Sequence, residues 1–202
     1  MNKALEKLLQ NNPAIWRAGE IAKGKQRGLA TGFPELDALL PDGGWPLSKL
    51  IEIITPRWGV GELRLLLPLL LHTTQNGYCA VWIAPPYIPY APALQQHGVV
   101  LENSVIIPAE IIGEQCLWVL EKVLRTQTCG VALAWPKKLP DKFLRRLQLV
   151  AEQGHSIGVI FRHQEVKSSP AALRLRLTPL KTGLQIEILK SRGGSRLRKV
   201  VI

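Results

Sequence analysis

One segment of the sequence has the spacing of a phosphate-binding loop. In a P-loop, G-x-x-x-x-G-K-[ST] joins a strand to a helix, and its backbone N–H groups, lysine and Ser/Thr hold the phosphates and Mg²⁺. The corresponding residues here are Pro56, Gly59, Gly61, Glu62 and Leu63. Glu62 replaces the lysine, and Leu63 replaces the hydroxyl residue. At about 4 Å and an effective dielectric near 20, this changes roughly 4 kcal/mol of attraction into repulsion. We therefore predict that this degenerate loop rejects triphosphate.

The other groups that nucleotide hydrolysis needs are also missing from the sequence. The apolar run at 131–134 ends in Trp135, where a Walker-B strand would supply an Asp to hold Mg²⁺. The run at 81–84 ends in Pro85 rather than in a carboxylate that could orient water. The four histidines lack metal-ligand spacing, and we expect each to be a surface or helix-end residue. No G-x-S-x-G, H-E-x-x-H or C-x-x-C motif occurs. We predict a protein without catalytic residues, metal or cofactor.

Composition points to a single domain with an anionic partner. The chain has 202 residues, 47% of them hydrophobic, which is enough for one core. The net charge of +11 favours nucleic acid or an acidic protein, although a merely basic surface explains it equally well. No apolar run reaches the about 18 residues of a membrane span. The N-terminus has no signal-peptide pattern, and the three cysteines are far apart. We expect a cytoplasmic protein with reduced thiols and no membrane contact.

Apolar runs of strand length alternate with helical patterns along the chain. The predicted strands are 50–54, 78–84, 104–107, 130–135 and 157–161, and the predicted helices are 2–10, 35–40, 62–74, 114–125 and 141–153. This alternation predicts an α/β fold of RecA-like type, with a mainly parallel sheet flanked by helices. Alternating runs at 173–177 and 184–188 predict a C-terminal antiparallel hairpin. We divide the chain into an N-terminal helix and basic arm (1–30), a core domain (31–190) and a basic C-terminal tail (191–202).

Three groups of residues are candidates for binding a protein partner or DNA. The C-terminal group comprises Lys190, Arg192, Arg196, Arg198 and Lys199. A predicted helix carries Lys142, Arg145 and Arg146, and a proline-rich loop carries Tyr87 and Tyr90. Cations beside glycines can become ordered on binding while contributing little to a core, so we favour the C-terminal group. The basic helix is equally well explained as a solvated face. We expect Trp82 and Trp118 to be buried.

Six segments carry a family resemblance in their order and spacing. They are TGFPELDALLPDGGWP (31–46), GELRLLLPLL (61–70), WIAPPYIPYAPAL (82–94), LRRLQLVAEQG (144–154), SPAALRL (169–175) and LKSRGG (189–194). Together they resemble the ImuA family of SOS-associated accessory proteins and, more distantly, the SulA cell-division inhibitors. The first resemblance implies a RecA-like fold and a role in translesion DNA synthesis, in a mutasome with ImuB and an error-prone DnaE-type polymerase. RecA and DNA are further candidate partners.

Two other functions stay open at this point. The resemblance to SulA implies a division inhibitor that binds the tubulin-like protein FtsZ. Segment 31–46, which SulA-like chains generally lack, weighs against this alternative. A residual nucleotide-dependent enzyme is the weakest reading, because positions 62, 63 and 135 lack the required side chains.

Overall fold

A mixed eight-stranded sheet forms the centre of the protein. The computed structural model describes residues 28–166, 168–191 and 198–202. The strands are β1 Leu50–Ile54, β2 Cys79–Ile83, β3 Ser104–Ile107, β4 Cys129–Ala134, β5 Ile157–Arg162, β6 Leu173–Leu180, β7 Gly183–Ser191 and β8 Arg198–Val201. Their order across the sheet is β3-β2-β4-β5-β1-β6-β7-β8. Strands β1 to β6 pair in parallel, whereas β7 pairs antiparallel with both β6 and β8. The carboxyl ends of β1 to β6 therefore share one edge.

Helices cover the central strands on both faces. They are α1 Pro34–Asp37, α2 Glu62–Gln75, α3 Ala91–Gln96, α4 Ala109–Ile112, α5 Cys116–Leu124 and α6 Asp141–Gly154. Helix α2 packs on one face over β2 and β4, and α5 and α6 pack together on the other. Because the central strands are buried on both faces, their residues are mainly apolar, with Glu52 of β1 as a buried exception. No helix among the described residues has the length and apolar character that a membrane crossing requires.

The segment before β1 is fixed to the rest of the fold. Leu29 forms an antiparallel bridge with Trp45, which is fully buried. The Thr31 N–H donates to Asp37 Oδ1 at 2.8 Å and so ties the chain to the end of α1. A Cβ on Gly44 would lie 2.2 Å from the Leu29 carbonyl oxygen, so only glycine allows this approach. The described part of segment 28–46 is therefore an integral layer of the fold.

The predicted alternation of strands and helices is confirmed, as is the C-terminal hairpin of β6 and β7. The bounds of the helix predicted at 114–125 differ, because a 3₁₀ turn at Gly113–Gln115 precedes α5. We predicted a basic tail over 191–202, but Arg198–Val201 forms strand β8, and Val200 packs against the core. The helix predicted at 2–10 and the arm up to residue 27 lie outside the described residues.

Candidate functional site

The loop between β1 and α2 has the backbone of an anion site. Gly59 and Gly61 have φ values of 78° and 109°, in the left-handed region that glycine adopts readily. The loop ends at the N-terminus of α2, where backbone N–H groups and the helix dipole favour a negative charge. Leu63, in the place of the Mg²⁺-binding residue, packs against the core. The backbone of a phosphate loop is present without its side chains.

The carboxylate of Glu62 occupies this anion site from within the chain. Its Oε1 accepts a hydrogen bond from the Gly59 N–H at 2.7 Å, and its Oε2 accepts one from the Val60 N–H at 2.8 Å. The residue is only 4% exposed. We predicted that Glu62 acts as a repelling charge. The geometry adds a second effect, because the same carboxylate satisfies two donors that a phosphate would otherwise use.

A row of stacked aromatic rings lies at the carboxyl edge of the sheet. Trp82 and Trp135 are parallel with centroids 6.2 Å apart, and Trp135 and Phe161 stack at 4.3 Å. The row therefore crosses β2, β4 and β5 in sequence. The burial predicted for Trp82 is confirmed, since it is 1% exposed. At the end of β4, where a Walker-B strand would place an acid, the chain places an aromatic ring.

Trp58 and His163 connect the loops that follow β1 and β5. Their ring centroids lie 3.9 Å apart, and the Nδ1–H of His163 donates to the Thr55 carbonyl at 3.0 Å. Trp58 also meets the edge of Phe161, with centroids 6.5 Å apart. We expected each histidine to be a simple surface or helix-end residue. His163 is instead part of the contact that positions Trp58.

A cleft of about 1080 Å³ opens beside these rings. It runs along the carboxyl ends of β2, β4 and β5 and is bounded by α4, by the start of α5 and by the loop that leads into α6. Its walls are rich in aromatic and proline residues, among them Trp58, Trp118, Phe143, Pro85, Pro86 and Pro140.

Two rings of the cleft each have a lysine beside them. The Lys122 ammonium lies 5.5 Å from the ring centroid of Trp118, within α5. The Lys142 ammonium lies 5.7 Å from the ring centroid of Phe143, at the start of α6. Both distances fall within the range of cation–π attraction. The two helices thus present the same pairing of an aromatic surface with a cation.

The exposed charged residues of the cleft wall are of both signs. Lys137 and Lys138 lie exposed on the loop after β4. The acids of the wall are Glu110 and Glu114, and Glu114 lies 3.6 Å from Lys138. Since these two side chains are 93% and 85% exposed, water screens their attraction and the pair contributes little to stability.

The predicted basic helix is α6, and only some of its cations are unpaired in the described part of the chain. Lys142 and Arg145 are exposed, whereas Arg146 lies 2.7 Å from Glu121 on α5. Arg125 contacts the same carboxylate at 3.0 Å. Burial opposes ionisation of Glu121, but the hydrogen bonds and charges of Arg146 and Arg125 prevail and lower its pKa. Arg146 therefore joins two helices and is not a free binding residue.

Lys190, from the predicted C-terminal group, lies next to a buried ionic cluster. Its Nζ donates to the Ser169 carbonyl at 2.6 Å. Burial and the nearby Arg174 lower its pKa, with partial opposition from Glu52. Glu52 is fully buried; it accepts a hydrogen bond from Arg162 at 2.8 Å and lies 2.9 Å from Arg174 Nε, an ion pair outside hydrogen-bond geometry. Lys190 is thus a packed residue.

The remaining C-terminal cations do not form one free patch within the described residues. Arg198 donates to the Leu39 carbonyl at 3.3 Å, and Lys199 lies 3.5 Å from Glu187 on the neighbouring strand. Both belong to β8. The other two predicted members lie outside the described residues: Arg192 and Arg196.

Exposed apolar side chains extend the region around the cleft. Tyr87 and Tyr90 are 72% and 73% exposed, in agreement with the prediction for the proline-rich loop. Ile88, between them, and Ile111, on α4, are at least as exposed. The sequence analysis did not identify these isoleucines as surface residues.

The prediction for Trp118 was wrong, because this residue is 56% exposed. Its apolar sequence neighbours suggested a core position. The buried apolar residues of α5 are Cys116, Leu120 and Leu124, at helical spacing of four. A residue two positions after the first of them lies on the opposite side of the helix. This spacing was the available signal for its exposure.

The described residues contain no cluster of three or more His, Cys, Asp or Glu side chains able to hold a metal ion. The cysteines are free thiols. Burial raises the pKa of Cys116 to about 11 and the pKa of Cys129 to about 12. These two thiols are packing residues.

The chain is similar in sequence to three curated proteins. It is 31% identical to the cell division inhibitor SulA of Serratia marcescens over 50% of this chain and 60% of that protein. It is 26% identical to the protein ImuA of Caulobacter vibrioides over 82% of this chain and 79% of that one. It is 24% identical to RecA of Thermus thermophilus over 99% of this chain and 69% of RecA. The alignment to the Serratia protein thus covers less than two thirds of that relative.

The family model of the cell division inhibitor SulA matches residues 57–158. This range begins in the loop that Glu62 closes, and it includes the aromatic row as far as Trp135 together with most of the cleft. Because the match covers half of the chain, the protein belongs to the SulA family.

Proposed function

We propose that this protein is a non-enzymatic accessory factor of the SOS response to DNA damage, acting by binding other macromolecules. The observation that carries the proposal is the buried carboxylate of Glu62, which is bonded to the two N–H groups of the degenerate loop. A nucleotide would have to displace this carboxylate and would find neither a lysine nor a hydroxyl residue beside it. The sheet order and the long alignment to RecA support a RecA-like frame that has lost nucleotide chemistry.

The more specific role in this proposal is a translesion-synthesis accessory that joins ImuB and an error-prone DnaE-type polymerase. The alignment to the Caulobacter ImuA covers more of this chain than the alignment to the Serratia SulA does. Segment 31–46 also lies before the matched SulA range, yet it is built into the fold through the Leu29–Trp45 bridge. A chain reduced to the SulA-like part would lose this layer.

Binding to FtsZ is the second candidate function, and the match to the SulA family supports it. The two candidates predict different results with purified components. A mutasome factor retains ImuB, with or without the polymerase, on an affinity column and leaves FtsZ assembly unchanged. A division inhibitor blocks GTP-dependent FtsZ assembly and does not retain ImuB. Turnover of Mg²⁺-ATP by the purified chain would contradict the non-enzymatic proposal in both forms.

Point variants locate the partner surface better than truncation does. Removing the chain after Lys190 also removes β8, so lost binding could simply report a damaged sheet. The double variant Tyr87→Ala, Tyr90→Ala instead changes two exposed rings of the proline-rich loop. Tyr78→Ala is its matched control, because this ring is 49% exposed at the opposite edge of the sheet. If the loop binds the partner, only the double variant loses retention of ImuB.

A further inference from the structure

We infer that the cleft at the carboxyl edge of the sheet is a binding site for single-stranded DNA. In this site Trp118 and Phe143 are surfaces on which bases stack, and the neighbouring lysines contact the phosphates. The inference rests on the side chains of the cleft and does not depend on which protein partner the chain has.

The exposed rings provide the first argument. Trp118 is 56% exposed although α5 has a buried side on which a tryptophan could pack. Phe143 is partly exposed at the first turn of α6 and lines the same cleft. Proteins that bind single strands combine such aromatic surfaces with a basic groove, because every base has a face that can stack. In a duplex the bases are already stacked, so a ring reaches a base face only at the cost of unstacking a base step.

The position of the cations provides the second argument. Lys122 and Lys142 each lie over one of the two rings. Lys137 and Lys138 line the cleft, on the loop that leads from β4 to α6. In the wall itself Lys137 and Lys138 are matched by Glu110 and Glu114, so the surplus of cations comes from the two lysines over the rings, against which Asp141 adds one acidic residue to this part of the sequence.

Several cations elsewhere are already held by other groups. Arg146 and Arg162 are held by buried glutamates, and Lys190 is bonded to a backbone carbonyl. Lys138 has only a screened, solvent-exposed pair that a phosphate can replace. The lysines of the cleft region, by contrast, are exposed, and two of them lie over its aromatic rings.

The test is fluorescence anisotropy with a labelled oligothymidylate of about 16 nucleotides, within the range that single-strand binding folds cover. The full chain is titrated at several salt concentrations, with a duplex of equal length and an oligouridylate as competitors. The variants are Trp118→Ala and the double variant Lys137→Ala, Lys138→Ala.

Each variant has a matched control away from the cleft. Tyr78→Ala removes an exposed ring at the amino edge of the sheet. The double variant Arg64→Ala, Lys181→Ala removes two exposed cations, from α2 and from the β6–β7 turn. Circular dichroism and thermal melting confirm that all four proteins are folded before binding is compared.

The expected result is that Trp118→Ala weakens binding by about tenfold, the effect of losing one base–aromatic stack. The double lysine variant should also reduce the slope of log K against log salt by about 1.4, because single strands release about 0.7 counterion per neutralised phosphate. The control variants should change affinity less than about twofold. The single strand should compete better than the duplex, and the oligouridylate arm tells whether the site distinguishes DNA from RNA.

Three outcomes would overturn the inference. Equal losses in cleft and control variants would mean that binding reports only the net charge. Preference for the duplex would mean that the rings do not stack on bases. If Trp118→Ala left DNA affinity unchanged but abolished retention of ImuB or inhibition of FtsZ, the cleft would be a protein-docking site. If the chain bound neither ImuB nor FtsZ but the DNA results were as expected, only the proposed function would be rejected.

Discussion

Replacing Glu62 by alanine is the most direct test of how the degenerate loop is held. The substitution removes both acceptors of the hydrogen bonds from Gly59 and Val60. Bonds to a charged group contribute about 1.5–3 kcal/mol each, and part of this is regained if water reaches the freed N–H groups. We therefore expect a loss of about 3 kcal/mol in the free energy of unfolding. For a chain of this length, that corresponds to a fall in Tm of about 6–12 °C.

The assay is urea denaturation followed by tryptophan fluorescence and CD. The free energy of unfolding should fall about half as much in Glu62→Gln as in Glu62→Ala, because one amide oxygen remains as an acceptor. Glu35→Ala is the control, since Glu35 is exposed at the first turn of α1 and its loss should change stability by less than about 0.5 kcal/mol. A Glu62→Ala protein as stable as the unsubstituted chain would refute the assigned role of the carboxylate.

An added anion gives this prediction a second, independent measurement. In Glu62→Ala the freed N–H groups should accept sulfate or phosphate, so the anion should stabilise this variant. The gain should follow RT ln(1 + [L]/Kd), or about 2.7 kcal/mol at a hundredfold excess over Kd. The unsubstituted chain should show no such gain, because its carboxylate occupies the site. Equal stabilisation of both proteins would show that the loop does not form the anion site.

Three further predictions concern stability and thiol chemistry. The pKa of Glu121 is lowered in the folded chain, so the ionised carboxylate stabilises the fold above pH 4.5, the ordinary glutamate value, and this stabilisation is lost as the pH falls below it. In urea unfolding measured against pH, Glu121→Gln should therefore reduce the fall in stability at acid pH. Gly154→Ala should cost at least about 2 kcal/mol in urea unfolding, because the added Cβ would lie 1.8 Å from the Leu124 carbonyl oxygen, whereas the exposed neighbour Gln153→Ala should be nearly neutral. In the folded chain a thiol reagent should modify Cys79 only, because the other two thiols are buried with raised pKa values, and all three should react in urea.

The sequence was most informative where one local rule decides the structure. Strand β1 occurs at 50–54 as predicted, because its residues are buried on both faces and four of the five are apolar, the exception being Glu52, which is paired with Arg162. The loss of the phosphate-loop lysine could likewise be recognised from position 62 alone. The second role of Glu62 could not, because it depends on how the left-handed glycines orient the N–H groups of the loop.

Features that depend on distant parts of the chain were not predictable in this way. The cleft collects segments from Trp58 to His163, which become neighbours only through the order of the strands. The C-terminal cations formed a cluster in the sequence, yet Lys199 lies beside Glu187 because β8 pairs with β7. Trp118 shows a different kind of error, since its helical spacing was visible and its apolar neighbours were given too much weight.

The stacked row at the carboxyl edge also limits what a single substitution in the loop could achieve. A single Glu62→Lys substitution would restore the charge of a phosphate loop but would leave Leu63 packed against the core. Trp135 would still stand where an acid is required, clamped between Trp82 and Phe161. Replacing it would open a large void in the row and destabilise the sheet before any activity returned. Equipping this loop to bind nucleotide would therefore require several changes made together, including repacking of the aromatic row.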